Sequence, residues 1–190
     1  MCFDGFYRIN FVFVMLARSG NLKMSATPNL FSPLKIRGIE LPNRIVIPPM
    51  CQYSAHDGHV DDWHLVNLGR FAMGGAGLIF TEATAVQKCG RITHGCPGIW
   101  SDSQIIGHAR ITNFLSQNAA VPAIQLGHAG RKASMQRPWF GNGPLNSADF
   151  ERGDMAWPII GPSAVPVGEG WLEPEAMSEA QIDALIDDFI

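Results

Sequence analysis

RIVIPPMCQY, residues 44–53, is a β-branched run driven into a rigid turn. Its first part, residues 44–47 (RIVI), is entered from the Pro42-Asn43 turn and halted by Pro48-Pro49, the pattern of a short, fully buried strand. Residues 78–86 (LIFTEATAV) and 121–126 (VPAIQL) share that apolar character and read as a second and third buried strand. Between the first two, Asp61-Asp62 can cap a helix whose Leu65, Leu68, Phe71 and Ala72 share a face, and Gly74-Gly75 ends it. Between the second and third, Ser101 or Asp102 caps another helix running through Ile106, Ala109, Ile111 and Phe114. Apolar strands alternating with helices imply a parallel sheet covered on both faces, hence a doubly wound sheet or a (β/α) barrel. The cluster Gly74-Gly75-Ala76-Gly77 is not a dinucleotide-binding turn. Such a turn follows a strand and opens a helix, whereas these glycines end a helix and open a strand.

Residues 127–177 are rich in Gly, Pro and Trp, including Trp139, Trp157 and Trp171, and have no long periodic segment. Connections beyond about 12–15 residues are usually functional lids or small subdomains, so a lid or β-hairpin excursion is expected over residues 129–177. Ser178 and Gln181 then form a capping box. Ile182, Leu185, Ile186, Phe189 and Ile190 follow the spacing of a buried helix face. An apolar stripe that runs to the last residue and still needs a sheet to cover reads as a helix cut short. A closed barrel takes eight strands in about 250 residues. The expectation is therefore an α/β chain forming the N-terminal part of a barrel, about three βα units plus the excursion.

The chain has 190 residues, of which 46% are hydrophobic and 16% charged, with a formal net charge of -3. That is the composition of an ordinary soluble domain, with no basic stripe for nucleic acid and no polybasic patch for a membrane surface. Cys2, Cys51, Cys89 and Cys96 show no CxxC spacing, which suits a reduced, cytoplasmic setting. His56, His59, His64, His94, His108 and His128 are scattered without a metal-binding motif. The apolar run over residues 11–17 follows Arg8 and is too short for a bilayer, which needs about 20 residues. Residues 1–23 read as an over-extended start before Met24, with a secretory signal as the alternative, and residues 24–190 as the barrel portion.

In a parallel α/β architecture the ligand lies beyond the carboxyl ends of the strands. That selects Pro48-Pro49-Met50-Cys51-Gln52-Tyr53, Glu82-Ala83-Thr84 and Gln125-Leu126-Gly127-His128. The double proline fixes a turn beside a thiol and a phenol, a place to hold a flat ring against backbone amides, and Gln125 offers a donor and an acceptor to a heterocyclic imide edge. Each has a structural alternative: Cys51 as a small buried hydrophobe, Tyr53 as a packed aromatic, Gln125 as a turn-former.

Taken together, LFSPLKIRGIELPNRIVIPPMCQYSA, GLIFTEATAV, GRIT, GIWSD, AIQLGHAGRKA and EAMSEAQI resemble, in order, the old yellow enzyme family (NADH:flavin oxidoreductase / NADH oxidase) from about Leu30 to Ile190. The branch they resemble is the bacterial, cysteine-containing xenobiotic-reductase type. The resemblance implies an FMN-binding (β/α)8 TIM barrel, an ene-reductase that takes hydride from NAD(P)H and delivers it from reduced flavin to the β-carbon of an activated alkene such as an enone. It matches Pro48, Pro49, Met50 and Cys51 to a flavin-contacting segment, with the Cys51 thiol adjusting the flavin's reduction potential. Tyr53 matches an active-site tyrosine facing the substrate, Ala83 a flavin contact, and Gln125 the glutamine that hydrogen-bonds the pyrimidine edge. Pro48 departs from a position that is often a small residue such as Ser.

The family's substrate-gripping histidine pair, or His and Asn, would follow a fourth strand, and its phosphate-binding arginine and turns would come later still. His128 is therefore read as structural. The resemblance further implies homo-oligomeric full-length relatives and a fragment inactive by itself. The competing readings are a non-catalytic half-barrel that serves as an interaction or assembly module, and a flavin-free (β/α) barrel, which the pairing of PPMCQY with AIQL disfavours.

Overall fold

The structure, a computed structural model, describes residues 29–190; the expectations for residues 1–23, with Cys2 and the start at Met24, lie outside the described residues. A short antiparallel pair comes first, β1 (Leu34–Ile36) and β2 (Ile39–Leu41). Next comes the parallel sheet that organises the molecule: β3 (Val46–Ile47), β4 (Leu78–Ala85) and β5 (Val121–Gly127), with β4 in the centre. Helix α1 (Asp62–Met73) connects β3 to β4 and α2 (Asp102–Gln117) connects β4 to β5. This is the α/β order expected from the alternation of apolar runs and amphipathic segments.

Helix α1 begins where its chemistry dictates. Asp61 is the N-cap, its carboxylate accepting the Trp63 N–H at 3.0 Å, and His64 folds back to complete a capping box. It ends at Gly74, after which Gly75 takes φ +88°, a conformation that costs glycine nothing. Gly77 then passes so close to the Asn43 backbone carbonyl that a Cβ would collide with it. The glycine cluster is thus a helix exit and a close strand approach.

The core lies between the two helices and one face of the sheet: Leu68 and Ala72 from α1, Ile79 from β4, Ile111 and Leu115 from α2. Fully burying a leucine or isoleucine side chain contributes about 1.5–3 kcal/mol. Helix α2 differs from its expected orientation. Its inward residues are Gln104, His108, Ile111 and Leu115, while Ile106 is 77% exposed and Ala109 is also outside. The polar pair sets this rotation: Gln104 Oε1 accepts the Ser101 N–H at 3.1 Å, and His108 Nε2 lies 3.1 Å from the Gly98 carbonyl.

The flanking strands are less buried than their composition implied. Val46 is exposed, and so are Gln125 and Leu126 on β5, because the helices cover one face of the sheet. On the other face Leu78, Phe80 and Val121 join Ile36 and Ile39 around an open apolar cleft of about 220 Å³. Residues 129–177 hold short helical turns, α3 (Ser147–Glu151) and a parallel pair, β6 (Ile160–Gly161) with β7 (Glu175–Ala176), in place of a regular hairpin. The buried carboxylate of Asp149 organises this region, accepting from Gln136 Nε2 at 2.6 Å and the Asn146 N–H at 2.9 Å and pairing with Arg152.

Helix α4 (Glu179–Asp187) starts at the expected Ser178–Gln181 capping box. Its apolar stripe is uncovered here, as expected of a face that still needs a sheet: none of its residues is buried, and Ile186 is 53% exposed. Leu185 is half-buried and Ile182, Ile186, Phe189 and Ile190 are exposed, so the periodicity marked an apolar face that the described residues leave largely open. No helix among the described residues is long and apolar enough to cross a membrane.

Candidate active site

The three selected stretches meet at the carboxyl end of the sheet. Ala83 on β4 and Gln125 on β5 are Cα partners, after a register shift between Thr81 and Ala83. The Ala83 backbone amide lies close enough to the Cys51 thiol to favour its thiolate form. One residue on, the Gln52 N–H donates to Glu82 Oε2 at 2.8 Å. The turn after β3 is thereby tied to β4, and β4 sets it beside β5. Ala83 is half-buried with a small side chain and Gln125 is exposed, while Pro48 and Met50 are exposed on the turn with Pro49 half-buried between them.

Tyr53 has φ +54°, a left-handed conformation that costs a non-glycine residue about 1–3 kcal/mol and persists only where neighbours hold it. Here the neighbours do. Ser54 Oγ donates to the Gln52 carbonyl at 3.0 Å, the Ala55 N–H donates to the Gly95 carbonyl at 2.9 Å, and Gly95 lies so near the Tyr53 carbonyl that a Cβ would overlap it. The phenol ring meets Trp139 edge to face, with centroids 5.7 Å apart and planes at 86°. The excursion therefore reaches back onto the site. Tyr53 also lines an open cleft of about 310 Å³ with His56, Asp61, Trp63 and Arg137.

Burial pushes the Cys51 thiol up to about 11, reinforced by the charges of Cys96 and Glu82 and opposed by the Ala83 amide and Tyr53. At neutral pH Cys51 is a thiol. Tyr53 is raised too, again chiefly by burial, so it remains a protonated phenol, able to donate. Behind the turn, His64 Nδ1 lies 2.9 Å from Asp61 Oδ1, and His64 Nε2 lies 3.4 Å from Glu82 Oε1. Burial alone would lower the His64 pKa; its contacts with Glu82 and Asp61 outweigh this and raise it.

Sequence reasoning placed Glu82 at a strand end without a role and left His64 among the scattered histidines. The available signal was the Asp61-x-x-His64 spacing at a helix start, which brings a side chain back over the cap. Trp139 and Arg137 lie in a stretch without periodicity and carried no local signal. His128 accepts the Gly130 N–H at Nδ1, 3.1 Å away, and its ring fills the space against Gly90, both structural tasks.

The NADH:flavin oxidoreductase / NADH oxidase family matches residues 29–190. The chain belongs to this family. Among curated relatives, an NADH:flavin oxidoreductase of Gibberella zeae is 41% identical over 169 residues, covering 87% of the chain and 40% of the relative. An NADPH dehydrogenase of Bacillus cytotoxicus is 40% identical over 162 residues, covering 84% of the chain and 41% of the relative. Among solved structures, Old Yellow Enzyme from Pichia sp. superposes with a TM-score of 0.68 at 28% identity, covering 85% of the chain and 40% of that enzyme. Morphinone reductase, at 23% identity and a TM-score of 0.68, shares the fold. The chain thus spans about two fifths of the length of the relatives it matches. It is the α/β portion of an oxidoreductase family whose names imply flavin and nicotinamide cofactors.

Proposed function

We propose that this chain supplies one side of the flavin platform of an FMN-dependent, NAD(P)H-using ene-reductase acting on activated alkenes. The observation that carries the reading is the side-by-side placement of Ala83 and Gln125, with the Cys51 thiol against the Ala83 amide. A methyl-sized side chain next to an exposed primary amide leaves room for a planar ring and offers a donor and an acceptor to its imide edge. The Pro48-Pro49-Met50 turn bounds the platform with backbone that cannot flex. FMN, when bound, supplies acceptance of hydride from NAD(P)H and its delivery to the alkene, while the protein orients and tunes.

Within that scheme Gln125 holds the pyrimidine edge and favours negative charge there by donating a hydrogen bond. Cys51 lies near the ring as a neutral, polarizable thiol, and Tyr53 presents a phenol to the substrate side. Trp63 and Arg137 line the cleft in which Tyr53 stands, and Trp139 packs edge to face on its ring. The substrate is a small molecule, the setting cytoplasmic, and the assembled enzyme a homo-oligomer. The grip on the substrate's carbonyl oxygen and the phosphate site belong to the remaining part of the barrel, so this chain by itself does not turn over.

The test joins residues 24–190 to the C-terminal portion of a family relative and assays NAD(P)H-dependent reduction of cyclohexenone with FMN, beside the chain alone. Turnover only in the joined protein supports the proposal; absence of FMN binding in a folded joined protein overturns it. A second reading, a half-barrel that serves as an assembly module, draws on the open cleft of Ile36, Ile39, Leu78, Phe80 and Val121 and the uncovered stripe of α4. It differs in expecting a stable partner complex without flavin.

A further inference from the structure

Residues on β4 alternate between buried and half-buried until Thr81 and Glu82, which are both buried. The register shift between Thr81 and Ala83 breaks the alternation and turns the Glu82 carboxylate inward, where it is 3% exposed. A buried carboxylate costs several kcal/mol unless it is paired. Two partners meet it. Its Oε2 accepts the Gln52 N–H at 2.8 Å, and its Oε1 stands 3.4 Å from His64 Nε2, an ion-pair distance rather than a close hydrogen bond. His64, also 3% exposed, reaches Asp61 on its other side at 2.9 Å, and Asp61 is 42% exposed. A line of three side chains thus runs from the solvent end of α1 to one peptide N–H.

That N–H sits between Cys51 and the left-handed Tyr53, so whatever fixes it fixes both. We propose that Glu82 is a positioning residue: its carboxylate, held by His64 and through it by Asp61, clamps the Gln52 amide and fixes the Cys51 thiol and the Tyr53 phenol on either side. What the two positioned groups do rests on the flavin reading above; the clamp itself does not.

The groups facing this line are few. Cys51, Tyr53 and Cys96 sense the Glu82 charge from the turn and the loop after β4, His108 on α2 senses both Glu82 and His64, and His56 lies 3.8 Å from Asp61. A carboxylate beside Cys51 opposes formation of the thiolate. Glu82→Gln keeps an acceptor for the Gln52 amide and removes the charge, whereas Glu82→Ala removes both. The two variants separate clamp from charge.

The experiment uses the whole chain without flavin. Amide hydrogen exchange resolved to Gln52 reads the clamp, and the pH profile of iodoacetamide alkylation at Cys51, resolved by peptide mass, reads the charge. Glu82→Ala is expected to speed exchange at Gln52 by about tenfold or more, the loss of a hydrogen bond to a charged acceptor. Glu82→Gln is expected to hold exchange within about threefold of the parent while moving the alkylation profile to lower pH. Unchanged Gln52 exchange in Glu82→Ala, or an unmoved profile in Glu82→Gln, overturns the proposal. If Glu82→Ala does not fold, Glu82→Gln decides alone: retained protection with a moved profile supports the clamp, and anything else sinks it. If these results come out as expected and the joined barrel still fails to bind FMN, the flavin reading falls and the clamp stands.

Discussion

Ala83 and Gln125 are Cα partners across β4 and β5, brought level by the register shift between Thr81 and Ala83. A methyl group and a free primary amide at one height on adjacent strands make a surface for a flat heterocycle. Replacing either side chain tests the surface from opposite directions. In the joined barrel, Gln125→Leu keeps the volume and removes the hydrogen bonds, so the FMN Kd is expected to rise about tenfold. Ala83→Leu fills the ring's space and is expected to raise it further. Flavin fluorescence titration reads both, and equal affinities in all three proteins would remove these residues from the site.

Cys51 stands beside the Ala83 amide as a half-buried thiol. Cys51→Ala, which removes only the sulfur of a half-buried side chain, is expected to leave the melting temperature within a few degrees and to shift the flavin reduction potential of the joined barrel. An unchanged potential returns Cys51 to a packing role.

The raised Cys51 pKa also fixes a sign for stability against pH. A folded-state value near 11, above the ordinary 9.0, means the folded chain keeps its proton where the unfolded chain loses it. Its contribution is whole below about pH 9 and is lost as pH rises toward about 11. Thermal melts of the parent should fall more steeply over that window than those of Cys51→Ala.

His64 has the same sign at a lower pH. Its pKa is raised above the ordinary 6.5 because its contacts with Glu82 and Asp61 outweigh the opposing effect of burial. The stabilising charge is fully present below about pH 6.5 and is lost as pH climbs through the raised folded value. His64→Gln should flatten that part of the melting profile, and a parallel decline in both proteins would show that His64 carries no linked proton.

Gly95 is placed so that any Cβ would overlap the Tyr53 carbonyl, which is backbone and cannot swing aside. Gly95→Ala is expected to destabilise by about 1–3 kcal/mol, as overpacking does. It should also disturb the Tyr53–Trp139 contact, visible as a change in near-ultraviolet circular dichroism. A melt within one degree of the parent would contradict the packing described at this corner.

How much of this was legible in the sequence depends on whether the signal was local. Residues 78–86 and 121–126 announced β4 and β5 almost to the residue, because a buried apolar run stopped by turn residues is a local pattern. Asp61 and Ser178 announced helix starts for the same reason. The orientation of α2 was not legible: Gln104 and His108 face inward to meet the Asp57 and Gly98 carbonyls, loop backbone that lies near only after folding. The α4 stripe carried the right period, but period alone does not say what covers a face. In the site, Pro48, Pro49, Met50, Cys51, Tyr53, Ala83 and Gln125 were selected because strand ends converge in this architecture. The role of Glu82 was hidden because the register shift that turns it inward is a property of the pairing with β5, and Trp139 was hidden because its contact spans a stretch with no repeating pattern.

The measurement that tests the central claim most directly is the flavin content of residues 24–190 joined to the C-terminal portion of a family relative, purified from cells and heated to release bound cofactor. The account predicts a yellow, cooperatively melting protein that yields about one FMN per chain, with the yield falling sharply in Ala83→Leu. A folded, colourless protein with no releasable FMN, or a yellow one whose FMN content is indifferent to Ala83→Leu, would contradict it.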